Sequence, residues 1–138
     1  MKQISSRFSI AVHILTLIAH SPKECTGDFI AGSVNTNPVI IRKIMGMLKK
    51  AELVEVRPGV GGASLLREAD RITLLDVLRA VEVIEDDSLF NFHDEPNVNC
   101  PVGRNIEAAL RKEMLEAQTL MEKKLNQVTL EDLIADFR

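Results

Sequence analysis

Residues 27–67 read GDFIAGSVNTNPVIIRKIMGMLKKAELVEVRPGVGGASLLR, and the order of elements within them decides the fold. A helix fits Gly27 to Val34: Thr26 stands where an N-cap belongs, and Phe29, Ile30 and Val34 fall on one face. Asn35-Thr36-Asn37 is a short polar turn. Pro38 follows at the first position of a new helix, where a missing N–H removes no helical bond. That helix is predicted over about Pro38 to Ala51. Ile41, Ile44, Met45 and Leu48 form its apolar stripe, with Arg42, Lys43, Lys49 and Lys50 on other faces. Leu53 to Arg57 reads as a short strand, Pro58-Gly59-Val60-Gly61-Gly62 as a glycine-rich turn, and Ala63 to Arg67 as the returning strand.

Upstream, apolar residues at Ile4, Phe8, Ala11, Val12, Leu15, Ile18 and Ala19 step by three and four, the helical period, until Ser21-Pro22 ends the pattern. Three helices and a hairpin make a winged helix-turn-helix. Downstream, Thr73 caps a helix to about Val83, and Asp76 completes a capping box with it. Glu85 to Asn99 is a long acidic loop, of a length that marks function or mobility. Pro101 opens a long helix to about Asn126, with Val102, Ile106, Leu110, Met114, Ala117, Met121 and Leu125 in one stripe. Thr129 caps a last short helix carrying Leu130, Leu133, Ile134 and Phe137. The expected fold is therefore mainly α: a winged helix-turn-helix over residues 1–71, then a helical region over 72–138 with one long C-terminal helix.

The chain has 138 residues, 27% charged and 46% hydrophobic, with no Trp or Tyr, a size suited to one domain. Its charge is unevenly placed. Residues 1–71 carry ten Lys and Arg against six Asp and Glu, whereas residues 72–138 carry seven against fourteen. A basic half beside an acidic half points to one surface that faces a polyanion. The apolar run from Phe8 to Ala19 is broken by Ser9, His13 and Thr16, short of the roughly 18–20 residues a membrane span requires. The start lacks a secretory signal. Two distant cysteines, Cys25 and Cys100, are no disulfide framework, so a reducing cytoplasm is expected.

The basic half suits a DNA-reading helix. Such a helix needs a buried stripe to hold it, short polar residues at its N-terminus to reach base edges, and cations for phosphates. Thr36 and Asn37 lead it, Val39 is placed to meet a thymine methyl, and Arg42 and Lys43 follow one turn later. The glycine-rich tip, flanked by Arg57 and Arg67, leaves backbone amides uncovered for close approach to a sugar-phosphate chain. Charge runs are also ordinary solvated surface, and a winged helix used only for protein contacts remains the alternative. An enzyme is not expected. Gly59 to Gly62 lacks the Lys-Ser/Thr of a phosphate loop and lies between strands, and no nucleophile has a cue for an activating His.

Other single residues carry weaker signals. Cys100 precedes Pro101 at a helix start, where the dipole lowers a thiol pKa, so it is a redox candidate beside the plainer reading of a small capping residue. Cys25 has no local support for such a role. His13 and His20 read as helix histidines, the latter a C-terminal dipole partner. His93, Asp94, Glu95 and Cys100 form a weak metal set that loop polarity explains better. Phe90 and Phe92 suit either an effector pocket or a cover over the junction.

The segments Ser5-Ser6-Arg7-Phe8, Asn35 to Lys50, Leu53-Val54, Gly59-Val60-Gly61-Gly62 with Leu65-Leu66, Ile72 to Val77, and Asn99-Cys100-Pro101-Val102-Gly103 together resemble the bacterial winged helix-turn-helix regulators of the IscR, NsrR and CymR family. The resemblance covers nearly the whole chain. It implies a homodimer on a roughly palindromic DNA operator, usually as a repressor, with the long helix as dimer element. The stripe of Ile106, Leu110, Met114, Ala117, Met121 and Leu125 agrees, since it exceeds what a small domain covers alone. The candidate DNA contacts are Ser6, Arg7, Thr36, Asn37, Pro38, Val39, Arg42, Lys43, Arg57, Gly59, Gly61 and Gly62.

Two departures qualify the match. Pro58 stands where the family's wing has its Arg, with Arg57 one step earlier and turned to the opposite face by strand alternation. Ser64 replaces an aromatic. Cluster-binding members resemble one another in three loop cysteines, where this chain has Ser88, Asp94 and Cys100, and Gly103 takes the place of a histidine ligand. No iron–sulfur cluster, other metal or cofactor is expected. The function read from the sequence is a sequence-specific DNA-binding transcription regulator, responsive to a redox signal or small effector without a cluster.

Overall fold

A computed structural model describes residues 6–21, 26–57, 62–82 and 96–137. Apolar periodicity lays out the elements: α1 (Ser6–His20), α2 (Gly27–Val34), α3 (Pro38–Lys50), β1 (Val54–Val56), β2 (Ala63–Leu65), α4 (Leu74–Val81), α5 (Pro101–Leu125) and α6 (Leu130–Ala135). The predicted helices and hairpin are present in the predicted order. A single 3₁₀ turn at Ala69–Arg71, which no periodic signal announces, joins β2 to α4.

Helix α1 is the centre of the molecule. Its Ala11, Ile14, Leu15 and Ile18 are buried, and α2, α3, β2, α4 and α6 all pack against it. Helix α3 contributes Ile41, Ile44 and Leu48 to the same core. The cluster continues through Ile72, Val77, Val81 and Leu130. One apolar interior therefore runs through elements on both sides of Arg71.

The hairpin pairs Val54 with Leu65, Glu55 with Ser64 and Val56 with Ala63, antiparallel. Its strands are shorter than the expected Leu53–Arg57 and Ala63–Arg67. Flanking bonds still extend the ladder: the Leu66 amide donates to the Leu53 carbonyl at 3.0 Å and the Arg57 amide to the Gly62 carbonyl at 3.1 Å. Helix α4 stops at Val81 rather than Val83, because Glu82 is already extended at φ −103°, ψ 124°.

The acidic half is tied to the core by a short bridge. Thr73 and Thr129 face each other in an isolated antiparallel β-bridge. Leu74 N–H donates to the Val128 carbonyl at 2.9 Å, and Leu130 N–H to the Ile72 carbonyl at 3.0 Å. Each threonine also caps the helix it precedes in a reciprocal box, with Asp76 and Asp132 as partners. Two backbone amides at each helix start are satisfied in this way. Leu130 and Ile134 are thereby laid into the core at 0% and 1% exposure.

Candidate nucleic-acid interface

Helix α2 ends with Asn35 in left-handed backbone (φ 58°, ψ 48°), its N–H donating to the Ala31 carbonyl. Asn tolerates that region better than most residues, so the chain turns within three residues into α3. Asn37 is the N-cap of α3, and Val39 N–H donates to its Oδ1 at 2.8 Å. The carboxamide oxygen of Asn37 is therefore engaged in capping, while Thr36 is half-buried beside it. Pro38 occupies the first helical turn, and Val39 beyond it is 60% exposed. Arg42, Lys43, Lys49 and Lys50 are exposed along the helix.

The hairpin stands beside α3 with Arg57 exposed at the end of β1. Gly62 has φ 127°, a conformation that suits glycine and lets the tip close against Arg57. Gly59 and Gly61, like Pro58, lie outside the described residues. So do Cys25, Ser88, Phe90, Phe92, His93, Asp94 and Glu95.

Ion pairing separates the nominated cations into two groups. Arg7 Nη2 lies 3.6 Å from Glu82 Oε2, and Arg67 Nη1 lies 3.5 Å from Asp76 Oδ2. Both arginines are held by carboxylates of the α4 region, across separations that no local pattern reveals. Among the described residues, no salt bridge reaches Arg42, Lys43, Lys49, Lys50 or Arg57. Five cations of α3 and the hairpin thus stand outside the salt bridges of the described residues. Ser6, at the opposite end of α1 from its His20, is exposed.

The distal helix presents a different surface. Of the 25 residues of α5, only Gln118 is buried. Leu110 and Ala117 of the expected stripe are exposed, and Ile106, Met114, Met121 and Leu125 are half-buried. Leu120, outside that stripe, is 68% exposed. One ion pair reaches from the helix to α4, with Arg79 Nη2 4.0 Å from Glu122 Oε2.

Cys100 is the N-cap residue of α5 and is exposed. The backbone N–H groups of Gly103 first, and Val102 second, face its thiol from the helix start and lower its pKa, although its side chain makes no capping hydrogen bond. The approach to this helix is built by Asn97, a residue without a local apolar signal. Its carbonyl accepts from Cys100 N–H at 3.2 Å, and its Oδ1 accepts from Asn99 N–H at 2.9 Å. The same carbonyl lies so close over Gly103 that a Cβ there would overlap it. This packing gives the glycine at 103 a physical reason.

The two remaining described histidines serve packing. His13 Nε2 lies 3.2 Å from Ser33 Oγ, linking α1 to α2. The ring of His20 lies 6.1 Å from that of Phe137.

The family model described as "Rrf2: Iron-dependent Transcriptional regulator" matches residues 4–136. YwnA of Bacillus subtilis, named as a candidate HTH-type transcriptional regulator, is 44% identical over 131 residues, covering 95% of this chain and 96% of its own. A crystal structure described as a candidate DNA-binding protein shares 39% identity with a TM-score of 0.75, over 94% of this chain and 99% of that one. CymR (YrzC), the global cysteine regulator of B. subtilis, shares the fold at 24% identity and a TM-score of 0.72, over 98% of each chain.

The iron in the family's description finds no fitting donor set here. Among the described residues no three His, Cys, Asp or Glu side chains are grouped to hold a metal. The whole chain has two cysteines, short of the thiolate set that clusters use. Gly103 has neither a donor nor room for one. Among the described residues, no helix is long and apolar enough to cross a membrane. With the match across almost the whole chain and a helix-turn-helix whose free cations lie on its second helix, the chain belongs to the Rrf2 family of winged helix-turn-helix transcription regulators, not to an enzyme family.

Proposed function

We propose that this regulator acts in the cytoplasm as a homodimeric repressor that occupies a roughly palindromic operator through α3 and the hairpin. The observation that carries the reading is the set of exposed cations on α3 and Arg57, outside every salt bridge among the described residues. Arg42 and Lys43 meet phosphates or base edges, and Val39 offers an apolar contact to a thymine methyl. Thr36, the free amide hydrogens of Asn37 and the turn at Pro38 sit at the helix start, where the macrodipole also favours a phosphate. Arg57 with Gly59, Gly61 and Gly62 follows the neighbouring backbone, and Ser6 and Arg7 add a contact from α1.

Residues 1–71 supply these contacts, and residues 72–138 supply assembly and signal reception. The stripe of α5 from Ile106 to Leu125 supports dimerisation, because Leu110 and Ala117 are exposed and its other four positions only half-buried within one chain. Two-fold symmetry then sets two copies of α3 about one DNA turn apart. A small effector, or oxidation at Cys100, shifts that spacing.

Selection of bound sequences from a random DNA pool tests the reading. A two-fold symmetric motif is expected, with retention lost at moderate salt. Failure to enrich any sequence over a wide protein range overturns it and leaves a winged helix used for protein contacts.

A further inference from the structure

A cavity of about 280 Å³ opens between α3 and the hairpin. Ile30, Ile41 and Ala63, all buried, form its apolar floor, and Met45 and Val56 its walls. Arg42 and Lys49 stand on the rim, and no carboxylate lines it among the described residues. These two cations are two turns apart on α3 and share a face, about 10 Å from end to end along the axis.

Gly46 lies between them and keeps the mouth open. A glycine inside a helix costs about 1 kcal/mol relative to alanine. Here that cost has no steric cause, since a Cβ on Gly46 would meet nothing within 4 Å. The absent side chain leaves an apolar chamber accessible beneath two positive charges. Ligand cavities commonly span about 300–1,000 Å³, so this one suits a compact molecule. Its floor selects a hydrocarbon body and its rim an anionic head.

We propose that this cavity is an effector site for a small amphipathic organic anion, a carboxylate with a compact apolar tail. The ligand sets its tail on Ile41 and Met45 and its carboxylate between Arg42 and Lys49. Resting on the assignment of α3 to DNA contact, occupancy also competes with DNA, because it neutralises Arg42 and puts negative charge where a phosphate would lie.

Octanoate is the probe, titrated calorimetrically into the full-length protein, with 1-octanol and inorganic phosphate as tail-only and head-only controls. One saturable site per chain is expected, at least tenfold tighter for octanoate than for either control. Gly46→Leu fills the mouth and weakens octanoate at least tenfold, while its melting temperature stays equal or rises because the helix loses a glycine. Arg42→Gln with Lys49→Gln abolishes the preference for octanoate over 1-octanol. Octanoate also raises the protein concentration needed to retain DNA for the wild type, but not for Gly46→Leu measured against its own ligand-free retention.

Absence of saturable octanoate binding overturns the site, as does binding unchanged in both variants. Binding without any effect on DNA retention overturns the competition. If octanoate binding behaves as described and no DNA is retained at all, the assignment of α3 to DNA fails and the anion site stands.

Discussion

Asn35 and Glu52 both have left-handed backbone, φ 58° and φ 61°, without being glycine. At Glu52 the reason is the stop of α3. Its N–H donates to the Lys49 carbonyl, and Leu53 N–H donates to the Leu48 carbonyl, both at 3.0 Å. This is a Schellman arrangement whose flanking residues Leu48 and Leu53 are both buried. A Cβ in left-handed backbone costs roughly 1–2 kcal/mol, offset in part by the extra chain entropy glycine loses on folding. Glu52→Gly is therefore expected to stabilise the protein by about 1 kcal/mol and raise the melting temperature by about 4 °C. Asn35→Gly, where the side chain already tolerates the geometry, changes it far less. A thermal melt of both variants checks the pair, and equal shifts would refute the argument. Cys100 offers a second test at this scale. The backbone N–H groups of Gly103 and Val102 at the helix start favour its thiolate, so in a Cys25→Ser background its alkylation by iodoacetamide reaches half-maximal rate at a pH below that of a free cysteine. Unfolding in denaturant moves that midpoint back upward. A midpoint that denaturant leaves in place would show that the fold does not tune this thiol.

At the scale of elements, what could be read from sequence is what local spacing controls. The stripe Ile41, Ile44 and Leu48 announces α3, Pro38 marks its start, and Thr73 with Asp76 marks α4; each depends on neighbours within a turn. The 3₁₀ turn at Ala69–Arg71 and the bridge between Thr73 and Thr129 depend on chain brought together only by folding, so no period reveals them. The pairing of Arg7 with Glu82 and of Arg67 with Asp76 is hidden for the same reason. It places one nominated DNA contact, Arg7, and one cation flanking the tip, Arg67, in ion pairs. Helix α6 shows the consequence most clearly. Its apolar residues read only as a short terminal helix, yet Ile134 is buried against the far side of the core. Ile134→Ala is expected to cost about 2–5 kcal/mol, as core truncations do. Phe137→Ala, at a position 58% exposed, changes stability by about 0.5 kcal/mol or less. Urea denaturation separates them, and similar midpoints would mean that α6 is not part of the cooperative core.

For the molecule as a whole, the cations of α3 and the hairpin and the apolar residues of α5 mark two surfaces. Arg42, Lys43, Lys49, Lys50 and Arg57 on α3 and the hairpin lie outside the salt bridges of the described residues, and α5 exposes Leu110, Leu115 and Leu120. Every cation that meets a phosphate steepens the salt dependence of DNA binding by about one power of concentration. Lys43→Ala is thus expected to weaken retention evenly across sequences and flatten that slope by about 1. The apolar residues of α5 have a separate physical demand. Leu110 is 42% exposed in the single chain, so Leu110→Glu removes little packing within a protomer and leaves its stability nearly unchanged. In a dimer joined through α5 the same change buries a carboxylate against apolar partners, which is strongly unfavourable without a compensating charge. The variant is expected to sediment at half the wild-type mass with unchanged helix content. Its affinity for a two-fold symmetric DNA site should fall about 10²–10⁴-fold, because two linked half-site contacts become one. A variant that keeps the wild-type mass would show that α5 is not the dimer element. One that loses the dimer but binds the symmetric site as tightly would show that a single copy of α3 and its wing suffices.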